Sequence, residues 1–212
     1  MRPSEIAYHH IKDRIISGEY LPAQRLIEAQ LAEEIQVSRN TVRKALQMIE
    51  NEKLIIIKEN VGAMVSYLDT DEILQYYEIR KSLELIVMES AVKKISQADL
   101  GRLSETIIKM ETLSSQHDFD EYSLNNLLFH DIIYEASEKP IAVGMIQEIK
   151  TQLKRYQIRT MLVPGRANTS LEEHKRIYQA LVNRDVDAAC SAIEEHMSGV
   201  SETITKFKTL FT

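Results

Sequence analysis

From Thr70 to Lys208 nearly every stretch carries apolar residues at helical spacing, and this periodicity constrains the chain more than any other feature. It predicts helices over Asp71–Lys94, Gln97–Ser115, Phe119–Ala136, Ile141–Thr160, Leu171–Asn183 and Val186–Lys208. Starts are marked by Ser96, Pro140, the capping-box pattern Ser170-Leu171-Glu172-Glu173 and Asp185, while Pro164-Gly165 breaks the chain between the fourth and fifth. Helices with one apolar stripe each must bury it against the others, so an all-α six-helix bundle is expected here.

The first 66 residues are patterned differently. Glu28–Ile35 reads as a short helix, Gln36-Val37 as a tight turn, and Ser38–Asn51 as a second helix with Ser38 as its N-cap. The β-branched run Leu54–Ile57, the breaker-like Asn60-Val61-Gly62 and the apolar Ala63-Met64-Val65 then read as a small β-hairpin. Helix, turn, helix and hairpin in this order make a winged helix-turn-helix. The fold class is therefore mainly α: an N-terminal winged helix-turn-helix with a small hairpin wing over residues 1–68, then the all-α bundle over 69–212.

Charge follows the same division. Met1–Ser66 holds nine Lys/Arg and nine Asp/Glu, so the net charge of −6 belongs to the second part. The low count of six Gly and four Pro suits a helix-rich protein, and the single Cys190 closes no intrachain disulfide. No run approaches the roughly 18 consecutive apolar residues of a membrane span, and Met1–Tyr20 is charged throughout. A soluble, cytoplasmic protein with no membrane partner is the expectation.

In the second helix of the first part, Val42, Ala45, Leu46 and Ile49 form the inward stripe. Arg39, Asn40, Arg43 and Lys44 then fall on the outer or flanking sides near the N-terminal end, where a recognition helix meets base edges and phosphates. Arg is suited to the bidentate contact with guanine, and Ser38, Asn40 and Thr41 are short groups that reach phosphates or bases. The plainer alternative is a solvated helix face. The order of parts favours DNA, bound as a homodimer because two half-sites supply the affinity that one short helix lacks.

In the second part, His130, His174 and His196 each lie in the apolar stripe of a different helix, and Asn126 precedes His130 by one helical turn. Converging neutral imidazoles suit a divalent transition metal, with zinc first and nickel, manganese or iron as alternatives. Hydrogen-bonded core histidines are the competing reading. Arg80 and Glu84 share the inward stripe of the first bundle helix, where they are either an internal ion pair or part of a ligand site. Arg155, Arg159 and Arg166 are weaker candidates, the last as a loop brace.

The stretch Val37-Ser38-Arg39-Asn40-Thr41-Val42-Arg43-Lys44-Ala45-Leu46 resembles the winged-helix domain of GntR-family transcription regulators, and the likeness extends over Ile11–Val65. It implies operator contacts by Arg39 and Arg43 and a wing that approaches the minor groove at Gly62, with Lys58 and Asn60 where Arg is frequent. Ala23 and Lys53 stand where the family commonly has Gly, and Thr41 where many members have Pro. Thr70–Lys208 is similar to the helical effector domain called FCD, in its shorter VanR-like form within the FadR-type subfamily. Asn126 through His130, Glu173-His174 and Glu195-His196 match its metal-binding positions, with Asn126 where the domain has Asp. The resemblance also implies an effector cavity near Arg80, and with it a metabolite-responsive regulator that binds double-stranded operator DNA and a small organic acid. A metalloenzyme using the three-His site, and an architectural DNA-binding protein without effector, are the alternatives. No motif such as His-Glu-x-x-His supports the enzyme.

Overall fold

A computed structural model of the chain describes residues 1–58 and 61–208, without the side chains of 155 and 158. Asn60 of the expected wing and the side chain of Arg155 thus lie outside the described residues. The chain divides into two compact units, one comprising Met1–Asp69 with Lys150–Arg155, the other beginning at Thr70 and containing the remainder of the bundle.

The first unit opens with α1 (Pro3–Ser17), which the sequence reading did not assign. Then follow β1 (Arg25–Leu26), α2 (Glu28–Ile35), α3 (Arg39–Asn51), β2 (Ile55–Lys58) and β3 (Gly62–Val65). Gln36 ends α2 in left-handed backbone with its N–H on Ala32 and Glu33 carbonyls, which turns the chain directly into α3. The wing is a three-stranded antiparallel sheet in the order β1-β3-β2, one strand more than the expected hairpin, with Ile55 opposite Val65 and Lys58 opposite Gly62. Ala7, Ile11 and Ile15 of α1 join Leu31, Val42, Leu46, Ile49 and Val65 in one core. α1 fills the side of the helix-turn-helix that would otherwise expose this cluster.

The second unit contains α4 (Thr70–Lys94), α5 (Gln97–Gln116), α6 (Phe119–Ser137), α7 (Pro140–Met161) apart from its Lys150–Arg155, α8 (Arg166–Asn183) and α9 (Val186–Lys206). Ser96 and Asp99 close a capping box on α5, Pro140 occupies the first turn of α7, and Asp185 accepts the Ala188 N–H at 2.9 Å. α8 departs from expectation. Gly165, at φ 83°, restarts the helix immediately after Pro164, so α8 begins at Arg166 rather than Leu171. Ser170 and Glu173 consequently lie inside the helix and are buried; they are not a capping box. α4 packs on α6 and α9, and α8 on α5 and α9, around Met88, Leu103, Met110, Phe129, Ile133, Ile177, Leu181 and Ile193. Each such side chain contributes about 1.5–3 kcal/mol by leaving water.

Candidate functional site

Ser38 caps α3, its hydroxyl accepting the Thr41 N–H at 3.2 Å. That cap fixes the start of the helix, and with Val42, Ala45, Leu46 and Ile49 buried it turns Arg39, Asn40, Arg43 and Lys44 out to solvent, with Thr41 half-buried. Arg43 is held bidentate by Glu28, Nε to Oε1 at 3.1 Å and Nη2 to Oε2 at 2.8 Å. These hydrogen bonds hold the Glu28 carboxyl below its ordinary range. On the wing, Lys58 is exposed and Gly62 takes φ 93°, left-handed backbone that favours glycine. Between α3 and the sheet runs a cleft of about 360 Å³ lined by Arg25, Glu28, Arg39, Arg43, Gln47 and Gly62. Arg25 is the member that sequence reasoning missed, because only the unassigned strand β1 carries it to the wing. Three guanidiniums around one carboxylate make this cleft suited to anions.

In the second unit, α6 supplies Asn126 and His130, α8 supplies His174, and α9 supplies His196. The three imidazoles are brought together, with candidate ligand atoms all within 4.8 Å of one another and exposures of 3%, 0% and 5%. His174 Nε2 lies 3.3 Å from His130 Nε2. Two rings are oriented from behind. The Nδ1–H of His174 donates to the Ser170 carbonyl at 2.6 Å, and that of His196 donates to Glu173 Oε2 at 2.7 Å. This leaves the Nε2 lone pair of each ring available, as a ligand nitrogen requires. Burial, reinforced by His196, pushes the His174 pKa down to about 3. Burial with the nearby Arg166 and Arg80 charges does the same for His196, also to about 3. Both are therefore neutral near pH 7.

Asn126 is buried beside them, and its Oδ1 has no hydrogen-bond partner. A lone carbonyl-type oxygen and neutral imidazoles are the donor set that a divalent transition metal takes, so the residues present fit such an ion. Glu173, which orients His196, is in turn gripped by Arg166 through Nη1 at 3.2 Å and Nη2 at 3.0 Å. Burial raises the Glu173 carboxyl, while Arg166 pulls the other way. α9 passes so close that a Cβ at Gly199 would stand 2.8 Å from Glu173 Oε1.

Arg80 and Glu84 form the buried ion pair, Nε to Oε1 at 3.0 Å, and the Tyr134 hydroxyl donates to the same oxygen at 2.6 Å. Burial works against the Arg80 charge, yet Tyr134 and Glu84 raise its pKa further above the ordinary arginine value. Arg80 also lines a cavity of about 20 Å³ with Tyr77, Asn126, Arg166 and His196. Arg166 is no loop brace: it is 6% exposed and faces Glu173 and this cavity. Arg159 is half-buried on α7. Tyr77 was not read as a site residue, Arg166 only as a weaker candidate, and Glu173 only as the neighbour of His174 in the family match. Tyr77 precedes Arg80 by one turn on the same stripe, and Glu173 stands beside His174, but nothing in the spacing shows that α8 begins early enough to bring Arg166 inward.

Two family profiles match the chain: that described as "Bacterial regulatory proteins, gntR family" over residues 3–65, and that described as "FCD domain" over 75–199. Curated relatives include the gluconate operon transcriptional repressor of Bacillus subtilis, 27% identical over 204 residues, covering 94% of this chain and 83% of that protein. The galactonate operon transcriptional repressor of Escherichia coli is 26% identical over 199 residues, covering 83% and 85%. Among solved structures, E. coli McbR/YncC superposes with a TM-score of 0.79 at 21% identity over 100% of both chains, a likeness of fold.

Proposed function

The chain belongs to the GntR family of bacterial regulatory proteins and carries an FCD domain, which makes it a transcription regulator rather than an enzyme, and on that premise we propose a metal-assisted response to a small organic acid. The observation that carries this reading is the convergence of His130, His174 and His196 beside the unpartnered Oδ1 of Asn126, in the same chain as a capped, basic recognition helix.

On the DNA side, Arg39 and Arg43 read base edges, Ser38, Asn40, Thr41 and Lys44 hold phosphates or neighbouring bases, and Lys58 with Gly62 brings the wing to the minor groove. Two copies bind two half-sites of a double-stranded operator. Ile79 and Ile86, 55% and 50% exposed and two turns apart on α4, supply an apolar face for the homodimer. No helix among the described residues is long and apolar enough to cross a membrane. A protein that works on an operator is placed in the cytoplasm.

On the effector side, His130, His174, His196 and Asn126 would hold the ion, zinc first among nickel, manganese and iron. When bound, it would supply a positive Lewis-acidic centre. Ser170 and Glu173 fix the ring orientations, and Arg80 adds positive charge to the adjoining cavity. The names of the gluconate and galactonate operon repressors support a carboxylic acid as effector. The acid shifts DNA affinity only by its differential affinity for two arrangements of the bundle.

The test is anisotropy titration of an operator duplex, selected from random sequence, with metal-replete and chelated protein and a panel of small carboxylates. At least one carboxylate should move the operator midpoint of the replete protein, and His174→Ala should abolish both that shift and the bound metal. A carboxylate response that survives chelation and His174→Ala would remove the metal from the reading.

A further inference from the structure

We propose that Glu28 is a specificity-determining positioning residue, which holds the Arg43 guanidinium by one edge so that its other edge reads a guanine and does not settle on a phosphate. The proposal rests on the reading above that Arg43 contacts base edges. Glu28 opens α2, directly after the N-cap Ile27, and Arg43 lies on α3. Two parallel bonds join them, Arg43 Nε to Oε1 at 3.1 Å and Nη2 to Oε2 at 2.8 Å. Fold stability gives little reason for such a pair: the Arg43 and Glu28 side chains are 56% and 35% exposed, and exposed ion pairs contribute little.

The fork decides what Arg43 can still do. A guanidinium carries five N–H donors in one plane. Glu28 takes the Nε–H and one Nη2–H along one edge, which leaves both Nη1–H groups and the second Nη2–H. Nη1 and Nη2 form the next edge, with one parallel N–H from each, and guanine O6 and N7 are the two acceptors that such an edge fits. A free arginine gives up side-chain freedom when it docks. One already held has given it up beforehand, so more of its hydrogen bonding reaches the complex as affinity.

Charge separates the two possible partners of Arg43. The cleft between α3 and the sheet brings Arg25, Arg39 and Arg43 around this one carboxylate. For a surface that only had to hold DNA, a carboxylate here would be a defect, because it repels each phosphate that approaches. Discrimination gains from it. With its charge offset by Glu28, Arg43 is a poor partner for a phosphate and keeps two aimed donors for the neutral acceptors of a base. Among the described residues Glu28 forms its ion pair with Arg43 alone, so Arg25 and Arg39 keep their charge for the nucleic acid.

The experiment is anisotropy titration of the full chain against three kinds of duplex: a selected operator, the same operator with 7-deazaguanine at each guanine in turn, and an unrelated sequence of equal length. Glu28→Gln removes the charge and keeps the shape. It should bind the unrelated duplex at least as tightly as wild type does, yet the operator at least about tenfold more weakly. Glu28→Asp keeps a negative charge at the start of α2 but withdraws it from the fork, and should lose operator preference in the same way. In an Arg43→Ala background, Glu28→Gln should change the ratio of operator to unrelated affinity by less than about twofold, because the residue acts only through Arg43. An unchanged ratio in either single variant overturns the proposal, as does a proportional loss on both duplexes, which a merely loosened domain would give. Arg43→Ala tests the reading beneath: it should bind the operator more weakly and lose its response to the 7-deazaguanine that costs wild type most. If Arg43→Ala matches wild type on every duplex, that reading falls and the proposal with it. If Arg43→Ala behaves as expected while both Glu28 variants keep the wild-type ratio, the proposal alone falls.

Discussion

Ala23 and Lys53 hold left-handed backbone at φ 61° and 58°, with a Cβ that this region disfavours by about 1–2 kcal/mol per residue. These are the two positions at which the family resemblance leads one to expect Gly. The turns persist because their backbone bonds are kept, Ala23 N–H to the Val65 carbonyl and Lys53 N–H to that of Glu50. Replacing either residue with Gly should stabilise the first unit, by up to about 1 kcal/mol after the added unfolded-state entropy is deducted. Urea denaturation of Ala23→Gly and Lys53→Gly in the full chain measures this, and an unchanged or lower midpoint would contradict the strain. The same scale shows what a sequence reveals. His130, His174 and His196 are legible because each replaces an apolar residue in a helical stripe. Tyr77 is not, and Arg166 is legible only as one arginine among several, because what distinguishes them is the partner they lack, and that depends on neighbouring helices.

At the level of elements, helix period marked six bundle helices, while the second-unit error fell at the one start where two signals compete. Ser170 through Glu173 has the chemistry of a cap, but Gly165 supplies left-handed backbone one residue before Arg166, and the earlier start places Ser170 and Glu173 where they can orient histidines. α1 and β1 were missed for another reason: a two-residue strand carries no periodicity, and α1 is only weakly amphipathic. α9 carries its own test. Gly199 sits in mid-helix, where Ala is ordinarily better by about 1 kcal/mol. A methyl there meets Glu173 Oε1 at 2.8 Å, and that carboxylate is pinned by Arg166 and His196. Gly199→Ala should therefore fail to stabilise the protein and should weaken metal retention at least about tenfold in competition with a chromophoric chelator. Stabilisation with unchanged retention would show that Glu173 is free to move.

For the molecule as a whole, the acidic excess lies beyond Ser66, so DNA is drawn to the first part alone. One recognition helix makes few base contacts, and pairing of copies multiplies them. Ile79 and Ile86 are the exposed residues on which that pairing is staked. Ile86→Glu should leave the helical circular dichroism intact, shift sedimentation velocity from dimer to monomer at micromolar concentration, and weaken operator binding at least about tenfold. A variant that sediments as wild type would place the dimer contact elsewhere.

The complete burial of His174 has a temporal consequence. A cation held among these rings leaves only when packed helices part, an event governed by local opening of the bundle. On the proposed reading the regulator would keep two clocks: a slow one, set when the bundle closes around an ion, and a fast one that follows the rise and fall of an acid. Fluctuations in free metal would then be filtered out over the life of a folded chain, and the operator would receive the signal of the small molecule alone.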